Sequence, residues 1–299
     1  MILVTGASGR IGTAILRELS HGTTPVRALA RGMARSPLRD EPTVHWVDGD
    51  AGDERVLSRS LEGIRTVVLH SAAAPEQVAL QERVIASALA GGVQRIVKLS
   101  VAGATDDAAC DAARWHWRIE QRLHSSGVEA CSVRVTRPMQ ALLHQVPLLL
   151  TSGLLAGCQG SGQSADVDVR DVGAVLAVLA SAPRLEQPFL TVTGPEAMDF
   201  NTMARILSRH FSRPIRYVDC APADMLQCAL AAGVDRWLAH DMVAWQTDAR
   251  DGRYAIVHDT VERITGRAPR RFESFANELA TSLRYANAPE RTPEVTATA

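Results

Sequence analysis

Lysine is almost missing from this sequence: Lys98 is the single one among 32 basic residues, and it stands inside the apolar run 95–100. The three tyrosines, Tyr217, Tyr254 and Tyr285, fall in the C-terminal part, and none precedes a lysine by four residues. A Tyr-x-x-x-Lys pair, in which lysine lowers the phenol pKa so that tyrosine can protonate a carbonyl, is therefore excluded. Long apolar runs are lacking too. The longest, residues 172–182 (VGAVLAVLASA), falls well below the roughly 18 residues that span a bilayer and reads as a buried helix. Five cysteines, Cys110, Cys131, Cys158, Cys220 and Cys228, form no C-x-x-C pair and have no histidine in ligand spacing. They read as free thiols of a reducing cytosol, with neither a disulfide framework nor a metal. Charge of one sign is not in excess, with 32 basic against 33 acidic residues and a net charge of -1. No global field recruits nucleic acid or an anionic membrane, which leaves small molecules as the expected partners.

What is present is an ordinary soluble composition, 46% hydrophobic and 22% charged, over 299 residues. That length allows one large α/β domain with a smaller lobe, or two modest domains. Met1 to Gly6 enter a glycine turn at once, unlike the charged and apolar regions of a signal peptide, so a cytoplasmic protein is expected. Short β-rich runs at 2–5, 26–30, 44–48, 66–69, 95–100 and 130–134 alternate with helical patterns at 11–20, 54–61, 76–90 and about 108–126. This alternation predicts βαβ units in a doubly wound, Rossmann-type parallel sheet. After residue 135 the rhythm changes: an apolar segment 139–155, a Gly/Ser-rich loop 157–164, a helix 172–181, a strand 189–193, a helix 201–211 and a strand 215–219. Helices within 223–251 and at 257–264 follow. The expected organisation is a Rossmann core at 1–135, a smaller C-terminal α/β substrate lobe interleaved with it at 136–288, and a frayed tail at 289–299.

The first strand runs directly into Gly6-Ala7-Ser8-Gly9-Arg10-Ile11-Gly12 and then a helix. In that setting Gly6 permits the tight turn, Gly9 removes a side chain where backbone meets a pyrophosphate, and Gly12 lets helix approach sheet. The helix N-terminus offers N–H groups and a positive dipole to phosphates. A plain βα turn is the alternative. NAD-selective proteins place an acidic residue after the second strand, whereas this chain has Ala30-Arg31. Arg31, with Arg10 or Arg35, suits a 2′-phosphate, which favours NADP (as NADPH) over NAD; surface arginine is the alternative. Asp50 is placed to meet the adenine amino group, and His70, Ser71 and Ala72 to line the ribose or nicotinamide side.

Taken with Arg95-Ile96-Val97-Lys98-Leu99-Ser100, the stretch 116–127 (HWRIEQRLHSSG), Asp168-Val169-Arg170-Asp171-Val172 and Leu190-Thr191-Val192-Thr193-Gly194-Pro195-Glu196, the glycine motif resembles the NmrA-like branch of atypical short-chain dehydrogenases/reductases over nearly the full length. The segments 213–218 and 259–275 resemble that family's C-terminal lobe. The resemblance implies NADP binding, a homodimer, and activities that range from NADPH-dependent quinone and triphenylmethane-dye reduction to cofactor sensing. It also implies that His116, four residues before Glu120, lies close to the nicotinamide ribose. His116 is accordingly the candidate proton donor, an imidazole titrating near neutrality; an i,i+4 pair with Glu120 that supports the helix is the alternative. Ser100, at a strand end, is a second catalytic candidate, and Gln77, Arg134 and Gln140 are substrate-pocket candidates. After Arg134 the chain lacks the aromatic pair often seen in the family, so its substrate pocket has diverged.

Hydride transfer needs little from the protein beyond orientation. A quinone, enone or polycyclic aromatic acceptor needs little acid help, because its reduced form is delocalised. The leading expectation is thus an NAD(P)H-dependent oxidoreductase on such a substrate. A non-catalytic NADP-binding redox sensor, or a non-redox biosynthetic enzyme that couples or cyclises its substrate, are the alternatives.

Overall fold

The computed structural model describes residues 1–32 and 36–286; Arg35 and the segment 289–299 lie outside them. Nine strands are described: β1 (Ile2–Thr5), β2 (Val26–Ala30), β3 (Val44–Asp48), β4 (Thr66–Leu69), β5 (Arg95–Val101), β6 (Glu129–Val135), β7 (Leu154–Gly157), β8 (Phe189–Val192) and β9 (Arg216–Asp219). Seven of them form a parallel sheet in the order β3-β2-β1-β4-β5-β6-β8. The order reverses between β1 and β4, and a crevice opens there beyond the carboxyl ends of the strands.

The helices are α1 (Arg10–Ser20), α2 (Glu54–Leu61), α3 (Gln77–Ala90), α4 (Asp111–His124), α5 (Val146–Ser152), α6 (Val169–Ser181), α7 (Phe200–Phe211), α8 (Pro222–Ala231), α9 (Arg236–Arg250), α10 (Thr260–Thr265) and α11 (Phe272–Ala286). Side chains alternate across each strand, so the sheet carries two cores. On one face Val4, Val26, Val97 and Val133 pack against Ile15 and Leu16 of α1 and Val172 and Leu176 of α6. There α1 and α6 touch backbone to backbone: a Cβ on Gly173 would lie 2.7 Å from the carbonyl carbon of Ala14. On the other face Leu3, Leu29, Val67 and Ile96 meet Leu57 of α2, Val84 and Ile85 of α3, and Ile119 and Leu123 of α4.

A third apolar cluster joins Met139, Leu149 and Leu155 to Phe200 and Leu207 of α7 and Phe272, Phe275 and Leu279 of α11, beside the two-stranded parallel pair of β7 and β9. Several boundaries differ from the sequence expectation for identifiable reasons. α4 begins at Asp111 because Asp241, from α9, accepts from the Asp111 and Ala112 N–H groups at 2.6 and 2.8 Å, a cap that no local pattern reveals. α6 begins at Val169, capped by the Asp168 carboxylate on the N–H of Arg170 at 2.8 Å. The helix expected at 257–264 starts only at Thr260, because the hydroxyl of Thr193 takes the N–H of His258 at 2.9 Å and holds the preceding residues extended. α11 was not anticipated.

Candidate active site

The strand-to-helix turn after β1 is closed by its glycines in three different ways. Gly6 has φ +60°, and a Cβ there would lie 2.9 Å from the carbonyl oxygen of His70, so both backbone conformation and space require glycine. A Cβ on Gly12 would fall 2.4 Å from the oxygen of Gly6 and 2.7 Å from the Cα of Ala7. Its smallness therefore lets the first turn of α1 sit against the backbone that leaves β1. At Gly9 the nearest atoms, the Gly6 oxygen at 3.4 Å and His70 Nε2 at 3.8 Å, are ordinary contacts, and the protein's own packing tolerates a methyl group. Gly9 caps α1 without any side-chain acceptor, which leaves the helix N-terminus open to an anion.

Beyond this turn lies a cavity of about 570 Å³, of the size of a cofactor pocket, between the ends of β1, β2 and β4, the loop after β3, and α3. Gly6, Arg31, Asp50, His70, Ser71, Ala72 and Gln77 all line it. Arg31 is exposed at its rim, with Nη1 3.4 Å from the Asp50 carboxylate. Thr5 anchors the floor: its hydroxyl donates to the His70 carbonyl at 2.6 Å and accepts the His70 N–H at 2.9 Å. Burial draws the His70 imidazole down to about 4, and the nearby Lys98 charge adds to the effect, so the ring is neutral at pH 7.

Ser8, Arg10 and Gln140 sit elsewhere, around a second cavity of about 510 Å³ between α1, α6 and α11. Gln140 there accepts the N–H of Val169 at 3.1 Å. Gly9, the cap of α1, and Ile11 and Gly12 in its first turn line neither cavity, and Ile11 packs partly against the α1-side core. Arg134 holds Glu120 through two hydrogen bonds of 3.0 and 2.6 Å and lies over the Phe189 ring. The i,i+4 pairing of His116 with Glu120 consequently does not form. Ser100 is fully buried, its hydroxyl without a partner among the described residues. Trp115 packs on Trp237 with ring centroids 5.3 Å apart.

His116 is buried one layer behind the cavity wall. Its Nδ1 lies 2.7 Å from Nζ of Lys98, and Nε2 of Gln77, a residue that lines the cavity, sits over the ring at 3.0 Å from its Nε2 and 3.4 Å from its Nδ1. Nζ of Lys98 also donates to the Leu99 carbonyl at 2.9 Å. Burial pulls the Lys98 ammonium down to about 7; Glu120 partly opposes the shift and Arg134 reinforces it. Burial, then the charges of Lys98 and His70, hold His116 well below the ordinary histidine value, so its ring is neutral. Sequence reasoning set Lys98 aside because no tyrosine accompanies it. It also missed Gln81, whose amide donates to Ser71 Oγ at 2.8 Å. A signal was there: Gln77 and Gln81 occupy the same helical stripe as the apolar Val84, Ile85 and Ala88 of α3.

The NmrA-like family model matches residues 1–253. The chain belongs to that family. Among curated relatives, this NmrA-like chain is 30% identical to an NAD(P)H azoreductase of Xenophilus azovorans, over 95% of this chain and 99% of the relative. It is 34% identical to a (4-alkanoyl-5-oxo-2,5-dihydrofuran-3-yl)methyl phosphate reductase of Streptomyces griseus, over 94% of this chain and 98% of the relative. Among solved structures, the NADPH complex of the Escherichia coli quinone oxidoreductase QOR2 superposes with a TM-score of 0.85 at 24% identity, covering 93% of this chain and 99% of that one. No helix among the described residues is long and apolar enough to cross a membrane.

Proposed function

We propose that this NmrA-like protein is an NAD(P)H-dependent reductase that prefers NADPH and acts on a conjugated small-molecule acceptor of the quinone, enone or polycyclic aromatic kind. The observation that carries the reading is the glycine turn and its cavity: one glycine the fold does not need, Gly9, stands at an uncapped helix N-terminus beside a cavity already lined by Arg31, Asp50 and His70. Two relatives of 30% and 34% identity over nearly the whole chain are both named reductases, which supports turnover over sensing or non-redox chemistry.

In this reading the α1 N-terminus and the turn at Gly6 to Gly12 hold the pyrophosphate. Arg31 takes the 2′-phosphate through charge-assisted hydrogen bonds, and Asp50 meets the adenine amino group. His70 and Ser71 line the ribose, and Gln77 forms the inner wall. The bound cofactor supplies a hydride to the acceptor. The neutral His70 ring serves as a hydrogen-bond partner rather than an acid at pH 7. A delocalised acceptor, whose reduced form takes its proton from water, suits a site without a tyrosine donor. The test is the oxidation of NADPH, followed at its own absorbance band, with a panel of quinones, enones and azo compounds. Acceptor-dependent decay supports a reductase, and binding without decay for every acceptor overturns it.

A further inference from the structure

One side of α1 faces the second cavity, away from the cavity of Arg31, Asp50 and His70. Arg10, Thr13 and Arg17 stand at i, i+3 and i+7, so they share a stripe of the helix, and all three line that space of about 510 Å³. Arg170, the third guanidinium of the lining, is held by Asp168 at 2.8 Å and by Glu278 at 2.9 Å. Among the described residues Arg10 and Arg17 have no such partner. Glu18, the carboxylate beside Arg17 in sequence, pairs instead with Arg267 at 2.7 Å.

Two further features of the stripe leave its polar groups turned outward. A helical threonine can bond the carbonyl one turn back through its hydroxyl. Here the Gly9 carbonyl accepts the Thr13 N–H at 2.8 Å, and the Thr13 hydroxyl has no partner among the described residues. Arg10 opens a helix whose first turn holds no acidic residue and whose cap offers no side-chain acceptor. A cation there opposes the positive end of the helix dipole. A local cost of that kind, with no ion pair to offset it, is expected at a functional position.

The facing wall is apolar, made by Phe275 and Leu279 of α11 and by Leu143 from the turn Met139–Gln145. The one acid of the lining, Glu278, already has its carboxylate on Arg170. Arg10 and Arg17 start about 10 Å apart along the helix axis, a span that two arginine side chains close over Thr13. Planar guanidinia suit a carboxylate, sulfonate or phosphate, and the opposite wall suits a small apolar body.

We propose that this cavity is a second ligand site, for a small aromatic or alkyl anion whose charged group lies between Arg10 and Arg17 and whose apolar body lies against Phe275 and Leu279. The site stands apart from the reductase reading and from the pyrophosphate turn.

The probe is naphthyl phosphate, titrated calorimetrically into the protein alone and into the protein saturated with NADP⁺, with naphthol as the uncharged control. One saturable site is expected, kept in the presence of NADP⁺ and not filled by naphthol. Arg17→Ala weakens it roughly 10- to 100-fold, the loss of hydrogen bonds to a charged group. Arg17 is exposed, so this variant keeps its melting temperature. Thr13→Val, which preserves side-chain shape, weakens the probe less. No saturable binding to the protein alone, binding that NADP⁺ displaces, or an affinity that Arg17→Ala leaves unchanged overturns the proposal. A failure of NADP⁺ to bind counts against the reductase reading alone, because the first titration contains no cofactor. In NADPH oxidation, competition between probe and acceptor assigns the site to a charged group on the acceptor; inhibition without competition assigns it to a separate ligand.

Discussion

Nζ of Lys98 stands 2.7 Å from Nδ1 of His116, with Lys98 fully buried and His116 nearly so. A cation held there depends on pH in a definite direction. The folded state lowers the Lys98 value from 10.5 to about 7. Between those two values the unfolded chain binds more protons, so this residue makes stability rise with pH; below the folded value its cost is constant.

The expected outcome is a pH-dependent difference between parent and Lys98→Met in urea unfolding. Any advantage of the variant shrinks, and any deficit widens, as pH rises from about 7 toward 10.5, by at most about 1.4 kcal/mol per pH unit. Cys110 and Cys131, which burial pushes up to about 12, oppose the trend equally in both proteins and cancel in the comparison. A difference that stays constant with pH contradicts the assignment.

Gly9→Ala and Gly12→Ala separate ligand space from fold space. A methyl group at position 9 meets only ordinary contacts, whereas at position 12 it lies 2.4 Å from the Gly6 oxygen. Gly9→Ala therefore keeps its melting temperature and loses NADPH affinity. Gly12→Ala melts earlier, by the several degrees that about 1–3 kcal/mol of overpacking represents. Equal melting temperatures for the two would sink this distinction.

Arg31 is exposed and its carboxylate partner, Asp50, is half-exposed, so its removal has little structural cost. Arg31→Ala weakens NADPH by roughly 10- to 100-fold, the worth of hydrogen bonds to a charged group, and leaves NADH unchanged. Competitive binding of the two cofactors measures this, and equal weakening of both rejects a 2′-phosphate contact.

His116 stays behind the cavity wall, with the Gln77 amide against its ring face. His116→Ala and Gln77→Ala should each lower turnover by up to about 10²-fold, with the double variant no worse than either alone. Additive losses in steady-state kinetics would mean that the two work separately.

Glu120 is fully buried, and among the described residues its ion-pair partner is Arg134. Arg134→Met strands that carboxylate and costs about 3–5 kcal/mol in chemical denaturation. Adding Glu120→Gln recovers part of the loss if the pair is structural.

Much of this fold is legible because it is local. The strands β1 to β4 are short runs bounded by turns, with the bounds their residues suggest. α11 is equally local in its signal, since Phe272, Phe275, Ala276, Leu279 and Leu283 keep a helical spacing. The start of α4 was not legible, because its cap comes from Asp241, 130 residues away in sequence from Asp111. The same holds inside the site. Arg31, Asp50 and His70 follow strand ends, where a parallel sheet presents its crevice, and all three reach one cavity. Lys98, His116 and Gln77 come from β5, α4 and α3, and only the packing of those elements shows that they touch.

The most direct test is a calorimetric titration of the purified protein with NADPH and with NADH. The account predicts one saturable site per chain, with NADPH the tighter ligand and the site lost in Gly9→Ala. An absence of NADPH binding, or binding that Gly9→Ala leaves unchanged, would contradict it.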